Sequence, residues 1–213
     1  MLKMQFITEQ EILAYIEEQK IRQSKKYLTY SEREQLKKMI ENPKFYVVPP
    51  GSTKNPFEKE ILKGIHNISQ PCELIKPGED ISRIIDELKV TLAVSGGLGL
   101  SANQIGYNKQ ISVISIFKGF NKEKKEPNRF DLVLINPKII EHKNKFLVKG
   151  ERCLSLPNIS VDTDRWIYIT LVNHNQQLEP STTCYQDMEA IVIQHEVDHQ
   201  RGKTIYDRKH KKR

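Results

Sequence analysis

The chemistry of this sequence gathers around "QHEVDH", Gln194 to His199. His195 and His199 stand four residues apart, so one face of a helix presents both imidazoles. Met188, Ile191 and Val192 share that face just upstream, so both histidines extend an apolar stripe and point inward. A single histidine there reads as a hydrogen-bonded core residue. Two at this spacing, with Glu196 between them, read as a metal pair with a general base beside it.

A catalytic site of this kind needs three protein ligands and an open position. After His199 the chain has no glutamate, and the one later histidine, His210, lies in a charged tail. The third ligand is therefore sought upstream. Cys153, in "GERCLSLP", is the best candidate, although a sparse thiol can equally be a buried apolar group or a nucleophile. A Cys–His–His set suits Zn(II) or Fe(II), one ion per chain. Its thiolate would make a milder Lewis acid than three histidines.

A third stretch, "GLGLSANQIG", runs from Gly97 to Gly106. It lacks the GK[ST] of a phosphate loop, and it follows a predicted helix rather than a strand, against a dinucleotide fingerprint. Its glycines let backbone approach a ligand, and Gln104 offers a neutral amide to an oxyanion. Alone, the stretch reads as a plain helix-to-strand turn.

In order, these segments resemble the peptide deformylase family, which carries GxGLxAxQ, EGCLS and QHExDH. Here they read "GLGLSANQ", "ERCLS" and "QHEVDH", with Arg165 and "YDR" (Tyr206 to Arg208) in the corresponding places. The resemblance spans roughly residues 43–213. It implies removal of the formyl group from N-formylmethionine at the start of new polypeptides, with release of formate. It implies that Cys153, His195 and His199 hold the metal, usually ferrous iron, with Zn(II), Ni(II) or Co(II) able to replace it. Glu196 becomes the general base, and Gln104 and the backbone N–H of Leu154 become oxyanion donors. Leu98, Ile191 and Val192 map onto the methionine pocket. The backbone near Gly99 pairs with the peptide, and Glu151 falls on the substrate side. Arg152 departs from the pattern, standing where the family usually has glycine. On a strand it points opposite to Glu151 and Cys153, and so bears on the peptide channel rather than the metal.

Two other functions compete. An endopeptidase could use the same helix motif, but the missing downstream ligand argues against it. A catalytically weak homologue could bind nascent chains or ribosomes; the full set of matched residues argues against that.

The elements that must position these groups follow from periodicity. Residues 1–42 read as two thinly apolar helices with capping boxes at Thr8–Glu11 and Ser31–Glu34, forming a helical extension. Pro43, Pro49, Pro50 and Gly51 end it, and residues 43–213 form the catalytic domain. Asp80 caps a helix carrying Ile81, Ile84, Ile85, Leu88 and Leu92, stopped by Gly96 and Gly97. Four strand-like runs follow: "QISVISIF", "LVLIN", "KFLV" and "WIYITLV". The Lys-rich "KGFNKEKKEPNR" reads as a solvated loop between the first two. The last helix is expected from about Thr183, boxed by Gln186, to about Gly202. Antiparallel or mixed strands around a central helix make an α+β domain.

Composition bounds the rest. The chain has 213 residues and three cysteines, too sparse for a disulfide scaffold. No apolar run approaches ~18 residues, and the N-terminus lacks a signal-type stretch, so a cytoplasmic protein without a membrane span is expected. The net charge is +7, but the last six residues, "RKHKKR", carry five of the basic groups and leave the body at +2. That tail is expected to be solvated, with weak attraction to RNA or a ribosome surface and no specific DNA site.

Overall fold

The computed structural model describes residues 57–121 and 126–211. The two helices expected in residues 1–42 lie outside the described residues. Helix α1 spans Ser82–Ser95, followed by strands β1 (Gly99–Ser101), β2 (Ile111–Asn121), β3 (Glu126–Ile135), β4 (Lys138–Cys153), β5 (Leu156–His174) and β6 (Pro180–Gln186), and helix α2 (Asp187–Gln200). Short 3-10 turns occupy Ile65–Asn67, Ala102–Ile105 and Ile205–Arg208. The strands form two antiparallel sheets, β1-β2-β3 and β4-β5-β6. With the two helices they make an α+β fold. No described helix is long and apolar enough to cross a membrane.

Strand β2 explains the layering. Its side chains alternate between faces, and both faces are apolar. Ile111 and Val113 join Ile85, Leu88 and Leu92 of α1 in one cluster. Ile114 and Ile116 join Val192, Ile193 and Val197 of α2, with Ile169 and Leu171 of β5, in another. Helix α2 is therefore enclosed between the two sheets. Nearly every residue from Ala190 to Gln200 is buried, well beyond one face.

Helix α1 follows its periodicity: Ile81, Ile85, Leu88 and Leu92 are buried, and Gly96 ends it at φ 71°. Asp80 accepts the Ser82 N–H at 3.0 Å. Glu87 is buried on the same helix, where it accepts bonds from Tyr107 Oη (2.7 Å) and Arg83 Nε (2.9 Å), with Lys59 Nζ at 3.4 Å.

Three expectations need correction. The four strand runs are present, but β2 and β3 continue into the Lys-rich stretch, so Lys118–Asn121 and Glu126–Arg129 are strand rather than loop. Helix α2 begins at Asp187, and Thr183–Gln186 belong to β6. Thr183 pairs with Leu171 and Tyr185 with Ile169, so β-branched and aromatic residues take a sheet edge in preference to a helical turn. Gln186 is the N-cap residue without a side-chain cap bond, while Asp187 and Glu189 place negative charge in the first turn. Finally, the basic tail is docked at least to His210. Arg208 binds Asp198, Lys209 bridges Thr163, and His210 donates its N–H to Asp162 O at 2.7 Å with Nδ1 2.9 Å from Asp164.

Glu87 generates a pH-dependent prediction. Burial alone would raise its pKa, but the Tyr107, Arg83 and Lys59 donors outweigh it and hold the carboxyl below its usual range. A depressed folded pKa gives stability that is present above the unfolded value of about 4.3 and is lost as pH falls below it. Glu87→Gln is expected to be less stable than the parent at pH 7, with the gap closing toward pH 3. Urea midpoints across that range check this; a gap independent of pH would contradict it.

Candidate metal centre

Cys153 ends β4, and Cys153 and Leu156 are paired across the two-residue turn Leu154–Ser155. The turn sets the thiol at the hairpin tip against α2. His195 and His199 project from α2 on successive turns. The ligand atoms of Cys153, His195 and His199 lie within 4.8 Å of one another. His199 Nε2 is 3.1 Å from His195 Nε2 and 3.3 Å from Cys153 Sγ. Tetrahedral bonds of ~2.0–2.1 Å to nitrogen set the two nitrogens about 3.3 Å apart, so the observed spacing fits a shared divalent ion.

The electrostatics fit as well. His199 is fully enclosed, and burial, with the neighbouring His195 and Arg165, holds its pKa well below the usual value, leaving a neutral imidazole. For His195, burial works the other way from its neighbours. The Cys153 and Glu151 partners prevail and push its pKa up to about 10. The residues suit a soft-to-borderline divalent cation.

Glu196 follows His195 on the same helix and interacts with it by charge. It is 2% exposed, and Oε2 has no hydrogen-bond partner. Burial pushes its pKa up to about 7, partly opposed by His195. Its carboxylate lies against Gly99, where a Cβ would overlap it. Gly99 therefore makes room for this carboxylate.

Gln104 lies in the 3-10 turn after β1 and is buried. Its Oε1 accepts the Ser101 N–H at 2.9 Å, fixing the amide so that Nε2 donates to Ser155 Oγ (3.1 Å) and lies 3.8 Å from Cys153 Sγ. The fold thus brings Gln104 to the ligand cluster. Leu154 presents its side chain to Gly97, and its carbonyl accepts from Lys63 Nζ at 2.8 Å. Leu98 is half-buried, and Ile191 and Val192 are buried on α2. Cys72 is buried with its thiol pushed up to about 11 by burial, while Cys184 is exposed on β6.

The Glu151 carboxylate is engaged with neighbouring side chains. Oε1 meets His195 Nδ1 at 2.6 Å and accepts from Arg165 Nη2 at 2.6 Å. Oε2 accepts from Arg165 Nε at 2.9 Å and from the Thr163 hydroxyl. Oε1 thus orients an imidazole while Arg165 and Thr163 hold Oε2. Arg152, one residue on, is exposed, as strand alternation requires.

Several positioning residues went unrecognised in the sequence. Gln194 clamps the backbone of Trp166 on β5 with Oε1 at 3.0 Å and Nε2 at 2.7 Å. Gln200 Nε2 donates to Ser112 Oγ on β2 at 2.7 Å. Asp198 meets Arg165 Nη1 at 2.5 Å. The available signal was that these polar side chains share an otherwise apolar helix.

Comparison with known proteins agrees with this centre. The sequence matches the family described as polypeptide deformylase over residues 59–213. A peptide deformylase from Synechocystis sp. is 32% identical over 154 residues, covering 72% of this chain and 79% of that protein. One from Aquifex aeolicus is 35% identical over 153 residues, covering 71% and 83% respectively. The crystal structure of peptide deformylase from Thermotoga maritima superposes with a TM-score of 0.63 at 25% identity, covering 72% of this chain and 99% of that one. With the family match spanning most of its length and the Cys–His–His cluster lying inside it, the chain belongs to the polypeptide deformylase family.

Proposed function

We propose that Glu196 carries the proton in this enzyme, and that Gln104 and the Leu154 N–H stabilise the oxyanion. The reaction follows from family membership: the chain is a hydrolase that removes the N-formyl group from newly made polypeptides. The observation that carries the residue roles is Glu196, a buried carboxyl with an unpartnered oxygen beside the ligand cluster.

Cys153, His195 and His199 would hold a divalent ion that supplies Lewis acidity and a more acidic water. We assign Fe(II), with Zn(II), Ni(II) or Co(II) as substitutes. Glu196, its pKa near 7, takes a proton from the attacking water and passes it to the leaving amine. Oxygen charge developing on the formyl group meets the Gln104 amide and the Leu154 N–H. Gly99 backbone and the apolar Leu98, Ile191 and Val192 receive the formylmethionine end. The catalytic domain is assigned to residues 43–213 and an accessory extension to 1–42. We place the enzyme in the cytoplasm, with contact to the ribosome surface through its basic C-terminal residues. The weak-homologue alternative has no specific observation in its favour.

Glu196→Gln keeps the shape of the side chain and removes its basicity. It is expected to retain stoichiometric metal while turnover falls at least ~10²-fold. Gln104→Leu is expected to lose ~10²–10³-fold; its melting temperature is measured alongside, since it also frees the Ser101 N–H. Formate release from a formyl-Met peptide reads both, and near-native turnover of Glu196→Gln would overturn the assignment.

Arg152→Gly is expected to leave metal content unchanged and to shift KM among peptides, since the side chain points away from the ligands. Loss of metal would contradict that orientation. Iron-loaded enzyme should lose activity in air faster than nickel-loaded enzyme, because Fe(II) and the Cys153 thiolate both oxidise. Equal lifetimes would count against iron as the vulnerable form.

A further inference from the structure

The turn Ile205–Arg208 packs Ile205 into the apolar cluster that holds Cys153, and its charge connects to a second proposed ligand. Arg208 closes the 3-10 turn Ile205–Arg208, which is fixed by a capping box between Thr204 and Asp207. Its guanidinium grips both oxygens of Asp198, with Nε–Oδ2 at 2.9 Å and Nη2–Oδ1 at 2.6 Å. Asp198 Oδ2 also accepts from Arg165 Nη1 at 2.5 Å. The other two nitrogens of Arg165 hold Glu151, whose Oε1 meets His195 Nδ1. The side chains of Arg165, Asp198 and Glu151 are 1%, 4% and 7% exposed, and that of Arg208 is 36% exposed. Four groups of alternating charge thus run from the Ile205–Arg208 turn to an imidazole on α2.

We infer that Arg208 is a positioning residue for His195, acting through Asp198, Arg165 and Glu151. The inference rests on His195 being a metal ligand. Two physical points support it. Two buried carboxylates and one buried guanidinium leave one negative charge uncompensated, and Arg208 supplies the balance. A planar fork also fixes direction, so Asp198 cannot rotate away from Arg165, nor Arg165 from Glu151. Partners that orient a metal-bound histidine typically change metal affinity 10–100-fold when removed.

The docking of the strap supports the same role. Lys209 bridges the Thr163 backbone, and His210 reaches Asp162 and Asp164. All three partners lie on β5, the strand that also carries Arg165. Strap and relay therefore share one scaffold.

The test is metal release from the full-length, metal-loaded protein, followed with a chromophoric chelator, together with melting temperature. Arg208→Gln removes charge and fork, and should release metal at least ~10-fold faster. Arg208→Lys keeps the charge, loses the fork, and should fall between Gln and the parent. Lys209→Ala changes the same strap without touching the relay and should match the parent. If both Arg208 variants melt lower yet release metal at the parental rate, the residue is merely structural and the inference is overturned. If Arg208→Gln does not fold, Arg208→Lys alone decides, since parental release from it would refute the role of the fork. A parent protein that binds no stoichiometric metal would instead overturn the ligand assignment, and the relay with it.

Discussion

The buried guanidinium of Arg165 is the interaction on which the rest depends. It stands between a carboxylate of the β4–β5 hairpin, Glu151, and one of helix α2, Asp198. The thiol comes from that hairpin and the imidazoles from that helix. The relative placement of sulfur and nitrogens therefore rests on one side chain that holds both elements by charge. Buried ion pairs contribute little net stability against an apolar replacement, but a broken one leaves an uncompensated charge and is strongly destabilising. The arrangement thus tolerates almost no partial version of itself.

Helix α2 shows how an enclosed element can still be polar. A helix buried all round is ordinarily apolar all round. Here Gln194 faces β5, Gln200 faces β2, Asp198 faces Arg165, and the two histidines face Cys153. These contacts reach several different elements, so the helix is fixed in rotation as well as position. Three buried atoms of the helix lack a hydrogen-bond partner: Glu196 Oε2, His199 Nδ1 and Gln200 Oε1.

What the sequence disclosed follows the range of the interactions. The pair His195 and His199 was legible because four-residue spacing on a helix is local, and Cys153 followed from the want of ligands downstream. The apolar periodicity of α1 and the four strand runs were legible for the same reason. The bonds of Glu151 to Thr163 and Arg165 were not legible, because they depend on the register of a long hairpin. Thr183–Gln186 carried a local capping signal, but pairing with β5 overrode it. The tail looked solvated because it is a run of like charge. Its docking depends on Asp162 and Asp164, which lie across the fold from it. In each case the deciding partner was remote in the chain.

Gly99 gives the space beside the Glu196 carboxylate a definite size. The carboxylate of Glu196 occupies the volume that a methyl group would fill on any other residue there. Strand β1 itself has no need of glycine, for its backbone is extended and paired with β2. A library randomised at this codon would therefore be sorted by whether a carboxylate keeps its seat, and hardly by whether the chain folds. Anyone redesigning the scaffold for a bulkier acyl group inherits that limit: the cleft can be widened around the ligand, but at residue 99 no atom can be added without moving the acid.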